Sequence, residues 1–452
     1  MSGTIANKDL QVGISNREIL KIALPISLAL LVPQVNFFTN NIFLSGLGAI
    51  ELGTAAITGV YYLVFALIGS GLNAGLQGLI SRRAGENRPE EIGRLYSQSQ
   101  WIALFFAAAG IMITFLFAPY FLEKSLRSDT VQEKANSFIA LRIWGLPFLY
   151  LFQTGNALLV GTNNSRYMIY GFIAMAGSNI FLDYTLIYGE WGFPEMGFNG
   201  AALASVIAEM IGASTVFIII YRKKLHERFS LFKKIKYDPP LGRLIFVQSS
   251  PLVAQYLLSV GAWLLFFILI EHKGELDLAI SNAMRNVFGL FGVFIWAFAS
   301  TTNAMVSNII GQGLKDKVVL LIKKIMLLSF IFTFVLTLFI NLLPKYFLDI
   351  YGQKEEFITQ AIPVLRIVTL GMLSMSIALI WLYAVTGTGN TRMNLLIEAV
   401  AIIIYTIYVW LVLKLWDLSL GWAWFSEVIY WGSLFLFSFL YIRGGKWRKK
   451  VL

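Results

Sequence analysis

Four carboxylates, Asp183, Glu209, Glu398 and Glu427, fall inside stretches that are otherwise apolar. An ionised side chain at the centre of a bilayer costs about 2.5–3.5 kcal/mol on insertion scales, so each of these acids requires a partner or a task. Around Asp183 the residue types point to cation chemistry. Asn179 lies four residues earlier, on the same face of a helix, and Asn36 and Asn40 repeat that spacing near the start of the chain. Counting rise along helices puts Asp183 roughly 25 Å beyond Arg166, Asn40 within about 10 Å of its helix end, and Ser205 and Glu209 roughly 10–17 Å into theirs. Asp183, Asn179, Asn40, Ser205 and Asn36 would together offer a carboxylate, amide oxygens and a hydroxyl. Such hard oxygen donors suit a sodium ion. Burial would equally let Asp183 cycle a proton, and a third reading makes it a hydrogen-bonded packing residue.

The other charged groups divide differently. Glu209 is a candidate second carrier or substrate counter-ion, or else pairs with a polar neighbour. Glu398, about 9 Å from the end of its helix by rise, is expected to snorkel or to pair with Arg392. Glu427, within Trp424-Phe425-Ser426-Glu427-Val428, is a candidate substrate contact. Arg285 either faces a cleft or snorkels outward. Trp263, Trp296, Trp381 and Tyr405 are candidate cleft aromatics, suited to apolar or cationic substrates. The chain has no cysteine, and its two histidines, His226 and His272, fall in expected loops. Thiol chemistry and disulfides are thereby excluded, and no metal site is expected beyond a possible sodium ion at Asp183. No nucleotide motif or nucleophile triad is present, so neither an ATP-driven device nor an enzyme is expected, and no cofactor is implied beyond H+ or Na+ as a coupling ion.

The elements that must position these groups follow from composition. The 452 residues are 57% hydrophobic and 13% charged, with a mean hydropathy of +0.70. Soluble domains are about 25% charged. Apolar runs of about twenty residues, the length that spans a bilayer, recur at 18–44, 55–81, 95–118, 136–160, 167–188, 198–221, 241–270, 278–311, 317–341, 362–386, 393–413 and 419–441. The reading is an all-α polytopic membrane protein of twelve transmembrane helices. The first run is too long for a signal-peptide core and reads as a retained helix. Most of the 36 lysines and arginines sit in alternate connections, which by the positive-inside rule places both termini in the cytoplasm. That distribution, and not nucleic-acid binding, accounts for the net charge of +11.

The chain also repeats itself. Residues 161–166 read GTNNSR and residues 387–392 read GTGNTR, an offset of 226. The same offset relates Pro25 to Pro251, Ser81 and Gly85 to Ser307 and Gly311, and Tyr120-Phe121-Leu122 to Tyr346-Phe347-Leu348. Two six-helix lobes are implied, 1–226 and 241–452, joined by a basic cytoplasmic linker at 227–240. An even helix number per lobe makes both run the same way, related by a pseudo-twofold along the membrane normal, with the working site between the halves. The offset carries Asp183 to Val409, Asn179 to Tyr405 and Asn40 to Phe266, and a shift of Gly200 to Gly421 carries Glu209 to Tyr430. Ion coupling is therefore expected in the first lobe alone.

The twelve-helix duplication, the first-helix prolines, the G-T-x-N-[ST]-R turns, the run Asn179-Ile-Phe-Leu-Asp183 with the following Gly192 to Ser205 segment, and Ser307-Asn-Ile-Ile-Gly311-Gln-Gly313 together resemble the MATE (multidrug and toxic compound extrusion) family of the MOP flippase superfamily. The resemblance covers essentially the whole chain. It implies secondary active efflux of organic, often cationic or amphipathic, compounds by alternating access, in antiport with inward H+ or Na+, with Pro25 and Pro33 as hinge positions. It also implies an integral plasma (inner) membrane protein of a prokaryote, with a small-molecule substrate and lipids as partners and the monomer as working unit. Where many members carry a first-helix acid this chain has Asn40, and Ser259, Met375 and Ser376 stand near the second-lobe acid positions. A lipid-linked oligosaccharide or precursor flippase of the same superfamily is the alternative.

Overall fold

Backbone amides inside a bilayer must be satisfied within their own segment, so long apolar runs become helices. The computed structural model of the chain describes residues 10–233, 236–349, 351–352 and 354–450, all helix or connection with no strand among them. Lys234 and Ile235 of the basic linker lie outside these. The first half comprises α1 (Asn16–Ser45), α2 (Ala49–Gly85), α3 (Pro89–Ser125), α4 (Asp129–Arg142), α5 (Leu146–Gly161), α6 (Met168–Tyr188), α7 (Phe198–Arg222) and the short α8 (Leu225–Arg228). The second comprises α9 (Pro239–Glu271), α10 (Glu275–Gly311), α11 (Val318–Leu342), α12 (Pro344–Asp349), α13 (Glu355–Gly387), α14 (Thr391–Trp410), α15 (Leu420–Trp424) and α16 (Ser426–Arg443).

A 3-10 turn, Ile143–Gly145, links α4 to α5, so the expected fourth span is a longer, interrupted helix. Among the described residues, eleven helices are long and apolar enough to cross a membrane. The remaining expected span is α6, whose apolarity is diluted by Asn179 and Asp183. The protein is integral to a membrane. α1 runs unbroken through Pro25 and Pro33.

The duplication is written in the joints. Ser45 and Glu271, Gly85 and Gly311, and Gly161 and Gly387 end helices at positions 226 apart, and Ala49 and Glu275, and Asp129 and Glu355, begin them at the same offset. Left-handed backbone recurs on that offset too, at Gly48 and Gly274, Asn87 and Gly313, Asn163 and Gly389, and Trp191 and Asp417. Glycine and asparagine reach this region at least cost, which explains why the two copies of the GTxN turn exchange only Asn163 for Gly389.

The chain divides into two compact units, one built on Leu28–Val253 and the other joining Gln11–Ser27 to Ala254–Leu452. In the first, the start of α9 is tied to α3: Arg94 Nη2 lies 2.7 Å from Asp238 Oδ2, and Gln98 Oε1 accepts from the Asp238 amide at 2.9 Å. The Arg94 side chain, helped by the Leu241 N–H, holds the half-buried Asp238 carboxyl below its ordinary range. In the second, the leading segment is held by α10 and α11. Val12 N donates to Asn308 Oδ1 (3.1 Å), Gln312 Nε2 to Val12 O (3.0 Å) and Lys324 Nζ to Ile14 O (3.1 Å).

Candidate functional site

In the first unit α1 and α6 meet through their amides. Asn36 Nδ2 donates to Asn179 Oδ1 at 2.8 Å. One turn further along each helix stand Asn40 and Asp183, as the four-residue spacing expects. Asp183 has no exposed surface, and neither of its oxygens accepts a hydrogen bond. The Oδ1 atoms of Asn36 and Asn40 are likewise buried without a donor. Buried oxygens are ordinarily satisfied. The Nδ2 of Asn179 is also without a partner, and oxygens of the kind offered by Asp183, Asn36 and Asn40 are able to take up a hard cation or, at the carboxylate, a proton. Among the described residues, Ser205 of α7 makes no hydrogen bond to this group; it is half-buried.

Glu209 does not join the group either. Its carboxylate forms a two-pronged pair with Arg142 at the end of α4, Nη1 to Oε2 at 2.9 Å and Nη2 to Oε1 at 2.5 Å. Tyr62 OH of α2 donates to both oxygens, at 3.0 and 3.1 Å, and its ring lies 3.6 Å from the guanidinium carbon. Of the two expectations for Glu209, a carrier or counter-ion and a group paired with a polar neighbour, the geometry is that of the paired group, because a buried carboxylate is stable only when paired and hydrogen-bonded. Arg142 and Tyr62 were not singled out by the sequence. An arginine within an expected span was the one signal that could have found this pair.

The second unit departs further from expectation. A cavity of about 370 Å³ opens among α9, α10, α13, α14 and α16. Glu398 and Glu427 line it, 1% and 3% exposed. Glu398 neither snorkels nor pairs with Arg392. Its Oε1 accepts from Ser259 Oγ at 2.5 Å and from Tyr430 OH, and its Oε2 from Gln255 Nε2 at 3.3 Å. Asn394 in turn donates to Gln255. Rise along the helix gives depth but not facing, and α9 and α16 supply the polar neighbours that turn Glu398 inward. Glu427 accepts from Trp431 Nε1 at 2.9 Å. Trp263, Tyr405 and Trp296 line the same cavity, as does Arg285, whose guanidinium lies 5.4 Å from the Phe267 ring centre. Trp381 lies outside the lining and donates to Met326 Sδ.

The repeat shows what has been exchanged. The partners of Asn40 and Asn179, Phe266 and Tyr405, are in ring contact at 6.3 Å, so the same helix pair meets through aromatics in the second unit. Glu398 falls on Phe172 of the first half and Asp183 on Val409 of the second. Each unit has buried acids of its own, at non-equivalent positions.

Comparisons with known proteins agree with this architecture. The chain is 28% identical over 252 residues to a probable multidrug resistance protein NorM of Synechocystis sp., spanning 55% of this chain and about half (54%) of that relative. An outward-facing multidrug resistance MATE family transporter of the MOP superfamily superposes with a TM-score of 0.89 at 16% identity, covering 100% of both chains. A MATE crystallised with MaL6 gives 0.88 at 17%, covering 98% of this chain and 99% of that one. A MOP superfamily transporter from Pyrococcus furiosus, described as having a binding pocket of reverse polarity, gives 0.88 at 16%, covering 100% of both. The MatE family profile matches residues 25–185 and again 251–411, two stretches set apart by the same 226 positions. The chain belongs to the MatE family.

Proposed function

We propose that the protein is a secondary active efflux transporter, exporting organic, cationic or amphipathic compounds in antiport with an inward flow of H+ or Na+ by alternating access. The observation that carries this reading is Asp183, buried with both oxygens unpartnered, one helical turn beyond the Asn36–Asn179 contact. Such a carboxyl is costly when charged and alone, so it gains a proton or a sodium ion from one side and releases it to the other. Asn36 and Asn179 lock α1 to α6 at this point. Cation occupancy therefore bears directly on the packing of α1, the helix that carries Pro25 and Pro33. The names of the relatives support efflux as the direction. The distribution of lysine and arginine supports cytoplasmic termini; a prokaryotic inner membrane and a monomeric working unit are taken as part of the proposal.

The test is transport in proteoliposomes with sodium and proton gradients imposed independently. Asp183→Asn is expected to remove gradient-driven efflux while leaving the protein folded. Unchanged efflux with unchanged ion dependence in that variant would overturn the reading.

A further inference from the structure

The chain that follows α8 is fastened along α3. A Cβ at Gly93 would stand 1.9 Å from the Phe229 carbonyl oxygen, so glycine is what lets the two backbones meet this closely. Phe229 and Leu231 are buried. Ser97 Oγ accepts from the Phe232 amide at 3.1 Å. The buried Gln98 donates to Lys236 O and accepts from the Asp238 amide, both at 2.9 Å.

This fastening shapes a recess of about 590 Å³ whose charged lining is Arg94, Lys233, Lys236 and Asp238. Asp238 compensates Arg94 at 2.7 Å. Lys233 and Lys236 are exposed, and among the described residues neither has an ion-pair partner. Three cations thus stand against one carboxylate on a backbone held in place, which favours an incoming anion.

α3 carries the recess onward as an apolar strip. Arg94, Gln98, Trp101 and Phe105 follow at intervals of four, three and four residues, which is one face of a helix. Trp101 and Phe105 are 47% and 69% exposed. By rise they lie roughly 10 and 16 Å beyond Arg94. Phe246 of α9, also exposed, stacks on Phe106 at 6.3 Å. A soluble phosphate could use only the basic end of this face. A phospholipid can use its whole length, and tryptophan at the depth of Trp101 is a usual mark of the membrane interface.

We infer that this recess is a binding site for an anionic phospholipid of the cytoplasmic leaflet, with its phosphate held by Lys233 and Lys236 and an acyl chain lying along Trp101 and Phe105. The leaflet follows from the proposed orientation. The site lies within the first unit and needs neither Asp183 nor transport, so it stands or fails separately from the antiport reading.

The experiment is native mass spectrometry of the full-length protein, titrated with dioleoylphosphatidylglycerol, dioleoylphosphatidylcholine or inorganic phosphate. The first phosphatidylglycerol adduct is expected to form more tightly than the first phosphatidylcholine adduct. Lys233→Gln with Lys236→Gln should weaken it by roughly tenfold or more, at about fivefold per lysine. Lys317→Gln with Lys323→Gln removes the same charge from another exposed basic connection and should leave it unchanged. Trp101→Ala should weaken it as well. Equal affinity for the two lipids overturns the inference, as does wild-type affinity in the Lys233 and Lys236 variant or an equal loss in the Lys317 and Lys323 variant. Displacement of phosphatidylglycerol by inorganic phosphate, with no loss in Trp101→Ala, would make this a site for a free anion and overturn the lipid as its occupant.

Discussion

Arg142 grips both oxygens of Glu209, at 2.9 and 2.5 Å, while Asp183 one helix away receives no hydrogen bond at all. Two acids in one unit are thereby given opposite conditions. One is fixed as a charged strut, and the other is left to be satisfied by whatever cation reaches it.

Breaking the strut should be more harmful than removing it. Glu209→Gln leaves Arg142 buried without its charge partner and is expected to cost about 3–5 kcal/mol. The double variant Glu209→Leu with Arg142→Met should recover most of that loss. Thermal unfolding in detergent checks the order; a double variant as damaged as the single would contradict it.

The amide contact between α1 and α6 should be measurable as a pair. Asn36→Ala and Asn179→Ala are each expected to destabilise by about 1 kcal/mol, and together by less than their sum, since both remove the same hydrogen bond. A double-mutant cycle on denaturation midpoints provides the coupling, and strict additivity would place the two amides apart.

The Arg94–Asp238 contact predicts a pH dependence. The folded carboxyl titrates below its unfolded value of about 3.9, so its contribution is complete above that value and lost as pH falls through the folded one. Asp238→Asn should lower Tm slightly at pH 7, and its gap to wild type should close towards pH 3. A gap that widened in acid would reverse the assigned direction.

The left-handed turns predict tolerance by residue type. Gly389, with φ of 85°, occupies the position of Asn163, with φ of 62°. Gly389→Asn should be nearly neutral, whereas Gly389→Val should cost about 1–2 kcal/mol. Paired thermal melts decide this, and equal losses would remove the conformational explanation.

The helices, the duplication and the Asn36–Asn179–Asp183 group were legible because they rest on local signals: apolar length, a fixed offset and four-residue spacing. Arg142–Glu209 was not, since its members stand 67 residues apart with no periodicity linking them. Glu398 was misjudged for a related reason. Its donors come from α9 and α16, at separations of 139 and 32 residues, and depth along α14 does not reveal which face they cover. Glu398 stands where the first half has Phe172, so the 226-residue offset offers no equivalent from which its facing could be read.

The anchoring of Val12 and Ile14 by Asn308, Gln312 and Lys324 has a consequence for synthesis. Val12 and Asn308 are separated by 296 residues, so the segment at Val12 leaves the ribosome and waits for α10 before these partners exist. At about 5–20 residues per second that wait is roughly 15–60 s. α1 can enter the membrane long before then. Leu10 can already meet Asn163 of the first half, at 3.2 Å, but Val12 and Ile14 are fastened when the second half is being made, which makes those two residues reporters of completed assembly.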